Sequence, residues 1–162
     1  MKNILLFASI ALLPLAGCGG GGSTSPQPTN KAVLFGTTDT FGNMTTPIRA
    51  IQVNAILPPG VFPNLSGSRT LRIDETGLKG LKGQILFGRY SATTNEVVFA
   101  ILANPITSSI GLGDFARLTY NVAPTAAAPP ESAFQQANYL VSGPNSTDIT
   151  ARITKSVKLT AY

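Results

Sequence analysis

The sequence contains no histidine and no tryptophan, and it has a single cysteine. Lys, Arg, Asp and Glu make up only 12% of its 162 residues, about half the usual share. Each shortage removes a class of chemistry. Without histidine there is no imidazole general base, no histidine-activated nucleophile and no imidazole metal ligand. One cysteine makes neither an internal disulfide nor a cysteine-rich zinc site. Twelve Lys and Arg stand against seven Asp and Glu, a net charge of +5. The basic residues are scattered and no stacking motif accompanies them, so no nucleic-acid partner is expected. So sparse a charge pattern also argues against a disordered chain and against a coiled coil. What is plentiful is glycine (16) and proline (12), the residues that separate short strands.

Lys2 is the only charge in the first thirty residues, and an apolar run over residues 4–17 follows it. That run is shorter than the roughly 20 residues a helix needs to cross a bilayer, so it reads as the core of an export signal. It ends Leu15-Ala16-Gly17-Cys18, with the chain's one cysteine in last place. These four residues resemble the lipobox of bacterial lipoproteins. The resemblance implies cleavage before Cys18, a diacylglycerol on its sulfur and an acylated amino group. Two or more acyl chains hold a protein on a membrane where one does so only marginally. Gly19 rather than Asp follows, which by the same resemblance points to the outer membrane in a Gram-negative source. Loss of residues 1–17 removes Lys2 and lowers the net charge from +5 to +4.

Residues 18–30 continue from Cys18 as GGGGSTSPQPTN. This segment cannot bury apolar surface and reads as a flexible tether with a reach of roughly 20 Å. No strand precedes its glycines and no Gly-Lys-Ser/Thr follows them, so they do not form a phosphate loop. Residues 31–162 make one domain. Short runs rich in Val, Ile, Phe, Tyr and Thr recur between turn residues: 32–36, 48–57, 69–73, 84–90, 96–102, 115–122, 139–142 and 149–159. Strands are expected there. Ile51, Val53, Ala55 and Leu57 share one face; Ala116, Leu118, Tyr120 and Val122 share another, with Phe115, Arg117 and Thr119 opposite. Ile149, Ala151, Ile153, Val157 and Leu159 keep one parity that Lys155 interrupts, which suggests a bulge, a bend or a solvated strand end. One short helical stretch is expected over 131–138, after Pro129-Pro130. The pattern predicts an all-β chain, an antiparallel β-sandwich of about eight to nine strands.

Two stretches carry a further likeness. Residues 51–57 lead into Pro58-Pro59-Gly60-Val61, and residues 113–122 read GDFARLTYNV after the apolar run 97–102. Together with 134–149, where Gly143 and Asn145 suit a closing turn, they resemble the cohesin family and the wider set of cohesin-like, carbohydrate-binding-like jelly rolls. The likeness covers residues 48–153. It implies a jelly-roll sandwich that binds rather than catalyses. The chain departs from cohesins where Leu57-Pro58-Pro59 replaces an aromatic strand followed by Asp-Pro, so dockerin binding is not carried over.

Candidate chemistry is thin. Asp74 and Glu75 are adjacent and would point to opposite faces of a strand, which does not make the facing carboxylate pair of a glycosidase. Asp39, Asp114, Asn145 and Asp148 fall near expected loops, but calcium needs six to eight oxygens and no Asp-x-Asp-x-Asp run is present. No metal site and no cofactor is assigned. In Thr76-Gly77-Leu78-Lys79-Gly80-Leu81-Lys82-Gly83 a glycine recurs every third residue. Backbone N–H groups with Lys79 and Lys82 would make an anion-contacting loop, and an exposed hairpin is the plainer reading. Val61-Phe62 and Ile85-Leu86-Phe87 suit either interaction anchors or core.

These observations lead to a lipid-anchored exported protein. Its sandwich is expected to be non-catalytic and to bind another envelope or extracellular protein in adhesion or assembly. A carbohydrate-binding module is the alternative, weakened by the absence of tryptophan. An enzyme is the least favoured reading.

Overall fold

Alternating apolar residues bounded by glycine, proline and asparagine fold here into two layers of strands. The computed structural model describes residues 31–64, 77–105 and 107–161. Among them are nine strands: β1 (Lys31–Asp39), β2 (Ala50–Ile56), β3 (Val61–Pro63), β4 (Leu78–Gly80), β5 (Gln84–Ser91), β6 (Glu96–Leu102), β7 (Gly113–Val122), β8 (Asn138–Ser142) and β9 (Ile153–Ala161). The signal segment, Cys18, the tether and the strand expected over 69–73 lie outside the described residues.

Sheet A runs β9-β1-β7, with the short β3 and β4 both on the far side of β7; sheet B runs β5-β6-β2-β8. Every pairing is antiparallel. The chain crosses from one sheet to the other at every connection except β3–β4 and β5–β6. The result is an antiparallel β-sandwich, with the core between its sheets.

That core follows the strand period. Val33 and Phe35 of β1 and Leu118 and Tyr120 of β7 face Ile51 and Val53 of β2, Val97, Phe99 and Ile101 of β6, and Val141 of β8. Two aromatic contacts tie the layers edge to face: Phe35 to Phe99, with ring centres 5.3 Å apart, and Phe115 to Tyr139, 5.7 Å apart. Such pairs add about 0.5–1.5 kcal/mol beyond their area burial. Phe134 closes one end against Tyr120 at 5.3 Å.

Several local expectations are refined. Phe115 does not face away from Ala116 and Leu118. The β1–β7 register shifts between Phe35 and Gly36, leaving Phe115 as the extra residue, and this β-bulge turns its ring into the core. The strand expected from 149 begins at Ile153, because Thr150–Arg152 form a 3-10 turn. Lys155 causes no bulge: it lies opposite Thr37 in unbroken register and its ammonium donates to the Ala137 carbonyl at 2.7 Å. The helical stretch is a single 3-10 turn, Glu131–Phe134.

Tyr139 crosses the sandwich to donate its hydroxyl to Ser156 O at 3.2 Å. Burial raises its pKa above the ordinary 10.0 and the Asp114 charge adds to this, while a hydrogen bond from the Gly36 backbone opposes it. A raised phenol pKa means that the folded state binds its proton more tightly than the unfolded state. The resulting stability is whole below pH 10.0 and is lost as pH climbs toward the folded-state value. Urea unfolding at about pH 8 and about pH 11 should show the midpoint falling in alkali. Tyr139→Phe should reduce that fall; an equal fall in both proteins would place its cause elsewhere.

Candidate interaction surface

The outer faces of the two sheets differ in chemistry, and registry explains how. On sheet A, pairing places Lys79 of β4 beside Arg117 of β7, Arg117 beside Leu34 of β1, and Leu34 beside Lys158 of β9. A transverse row of three cations and one leucine results, with Asp114 3.6 Å from Lys158.

On sheet B the residues opposite the core residues form a different row: Phe87 of β5, Ala100 of β6, Gln52 of β2 and Leu140 of β8. The next row is Arg89, Val98, Asn54 and Asn138. Arg89 and Glu96 are the only charged residues in the strands of this sheet. β6 is the informative element. A strand with one solvated face should alternate apolar and polar residues, yet Val97 to Leu102 are apolar without a break. Val98 and Ala100 therefore form an apolar floor on the outer side, 6% and 8% exposed, with no second layer of strands above it among the described residues. Around this floor Phe87 is 42%, Leu140 49%, Ile56 55% and Leu86 61% exposed. Exposed apolar side chains gathered on one face mark contact sites more often than scattered single residues do.

No protein-family model matches this chain, and neither a curated protein nor a solved structure matches it.

The sequence-predicted positions are distributed as follows. Leu15, Ala16, Gly17 and Cys18 lie outside the described residues, as do Asp74 and Glu75. Lys79 is exposed on β4 in the cationic row of sheet A. Lys82, in the turn after β4, donates its ammonium to the Leu112 carbonyl and so ties this turn to the loop before β7. The Leu81 N–H donates to Phe115 O at 2.8 Å. The turn's lysines thus serve different places, and one of its backbone donors closes against β7. Gly111 and Gly113 both have positive φ, 71° and 95°, as a tight Gly-x-Gly turn requires.

The described carboxylates have structural partners or lie apart. Asp39 accepts N–H bonds from Phe41 at 3.1 Å and Met44 at 2.5 Å. Although desolvation opposes it, these bonds, one from Asn43 N–H and the Arg152 charge hold its pKa below the usual 3.8. Asp148 accepts from Thr150 N at 2.9 Å, and Glu131 from Leu159 N at 3.1 Å. Among the described residues no three acids cluster where a metal ion would sit. Of the two apolar clusters that suited either role, Val61 is buried, while Phe62, Leu86 and Phe87 are exposed. Leu140 and Ile56 belong to no apolar cluster that stands out in the sequence. Their signal was parity: each alternates with a core residue, so each must face outward once its neighbours are buried.

Proposed function

We propose that this chain is an exported lipoprotein, held on a cell-envelope membrane (the outer membrane in a Gram-negative source) by a lipidated Cys18, whose cohesin-like sandwich binds another envelope or extracellular protein. The Leu15-Ala16-Gly17-Cys18 motif supports the anchor, and the segment 19–30 supplies the tether. The observation that carries the binding role is the outer face of sheet B, where Phe87, Leu140 and Ile56 surround the apolar floor of β6 and charges are nearly absent. Exposed apolar anchors on a rigid sheet suit a protein partner, since such side chains lose little entropy when they dock. The cationic row of sheet A adds a weak attraction to anionic headgroups. A sugar-binding platform would stack rings on a flat face, but Phe87 is the only exposed large aromatic among the described residues of sheet B.

The test is capture from detergent-solubilised envelope and spent medium, using the mature chain with Cys18→Ser as bait, beside a glycan array. One protein should be enriched in a saturable way, and Leu140→Lys on the bait should weaken its capture by roughly tenfold or more, the effect of losing a single interface anchor. Glycan binding without a protein partner would overturn the reading, as would capture indifferent to Leu140.

A further inference from the structure

A sheet edge is a row of unpaired backbone donors and acceptors, and proteins that do not use their edges usually cover or shorten them. Three of the edges here are managed in that way. Along β9, Glu131 takes the Leu159 N–H, and the 3-10 turn Glu131–Phe134 lies beside the strand. Along β8, Thr150 Oγ1 accepts the Val141 N–H at 2.8 Å, Ile149 N–H donates to Val141 O at 2.9 Å, and Ser142 bridges to Asp148. On the far side of β7, β3 and β4 are three residues each.

The fourth edge is different. β5 is eight residues long and pairs on one side with β6; among the described residues no other element hydrogen-bonds to its second side. Its single irregularity is the extra residue Leu86, where the register shifts between Ile85 and Phe87. From Phe87 to Ser91 the register to β6 is regular. Of the four exposed large apolar side chains of sheet B, Leu86, Ile56, Leu140 and Phe87, two stand directly on this edge strand.

We infer that this edge of β5, unpaired among the described residues, pairs antiparallel with β5 of a second copy of this chain, about a two-fold axis through Gly88. Self-complementarity identifies the occupant. An antiparallel pair centred on Gly88 places residues of like facing opposite each other: Phe87, on the outer face, meets Arg89 of the second copy, and the reciprocal pair forms across the axis. Each contact sets a guanidinium against an aromatic face, a favourable arrangement at an exposed site. Beyond it, with Leu86 bulged out on both strands, Tyr90 meets Ile85 on the inner face and Ser91 meets Gln84 on the outer. Gly88 itself, without a side chain, permits close approach of two backbones at the axis. The two four-stranded sheets then form one continuous sheet whose outer apolar face is doubled in width. An edge contact is small compared with the roughly 1,000 Å² of a stable complex, so the pairing is weak in dilute solution. It gains from tethering: copies held on one membrane meet at high effective concentration. Only that last consequence rests on the lipoprotein reading.

Sedimentation equilibrium of the mature-length Cys18→Ser chain tests this without membrane, lipid or any envelope protein, so its outcome is separate from the capture experiment. A reversible monomer–dimer equilibrium should appear between about 10 and 500 µM. Phe87→Lys places like charges across the axis and should weaken association by at least about tenfold, and Phe87→Lys/Arg89→Glu, which sets opposite charges there, should restore it. Leu140→Lys, on the same face but the opposite edge strand, should leave it unchanged. A chain that stays monomeric to about 500 µM would overturn the inference. So would a dimer indifferent to Phe87→Lys, a double variant no tighter than that single one, or equal loss with Leu140→Lys, which would indicate face-to-face stacking.

Discussion

Replacing Phe99 by alanine should destabilise the domain by about 3–5 kcal/mol, the range for a large aromatic removed from a core. Phe99 lies in the middle of β6, fully buried, between Val53 of β2 and Gly88 of β5. Its ring meets Phe35 of the opposite sheet at 63°, so the substitution opens a cavity and removes an inter-sheet aromatic contact at once. A domain of this size has about 5–15 kcal/mol of total stability, so the variant should unfold at markedly lower denaturant. Equilibrium unfolding in guanidinium gives the value directly. A loss under about 1 kcal/mol, typical of a surface position, would contradict the placement of Phe99 at the centre of the core.

The second large effect should come from a residue of no apparent importance in the sequence. Asn95 turns the β5–β6 hairpin with φ of 52°, in the left-handed region where asparagine is tolerated and alanine is strained. Its side-chain amide donates to Leu57 O at 2.9 Å and Pro58 O at 3.0 Å, and its side-chain oxygen accepts the Tyr90 hydroxyl at 2.7 Å. Its own carbonyl accepts the Leu57 N–H at 2.8 Å. One residue therefore shapes a hairpin of sheet B and fastens the crossover from β2 to β3. Asn95→Ala should cost about 2–4 kcal/mol, from backbone strain and from part-buried groups left without partners. Asn95→Gly relieves the strain but not the lost bonds and should fall between alanine and the parent. If glycine restored full stability, the side-chain bonds would contribute nothing.

Legibility in the sequence followed the strength of the local signal. The apolar run 96–102 coincides with β6, and 84–90 and 48–57 lie within one or two residues of β5 and β2. These are runs of β-branched and aromatic side chains closed by turn residues. β3 and β4 escaped notice because three residues show no period. What makes them strands is pairing with β7, a contact distant in sequence. Leu78, within a glycine-spaced loop by pattern, is buried through that pairing. Simple alternation puts Phe115 on the wrong face, because a single bulge reverses parity. The interaction surface was half legible. Leu86 and Phe87 stood out as an apolar cluster, but whether they lay inside or outside depended on which strand formed the edge of sheet B. The lack of a second layer over β6 among the described residues is equally hidden, since an apolar run reads the same whether one face or two are covered.

Lipidation of Cys18 is tested most directly by intact mass spectrometry of the chain recovered from its own cell envelope. The expected result is a chain beginning at Cys18 that carries a diacylglycerol and a further acyl chain and partitions into detergent, with Cys18→Ser left unprocessed and unlipidated. A chain that begins elsewhere, or that carries an unmodified Cys18 and remains in the aqueous phase, would contradict the account.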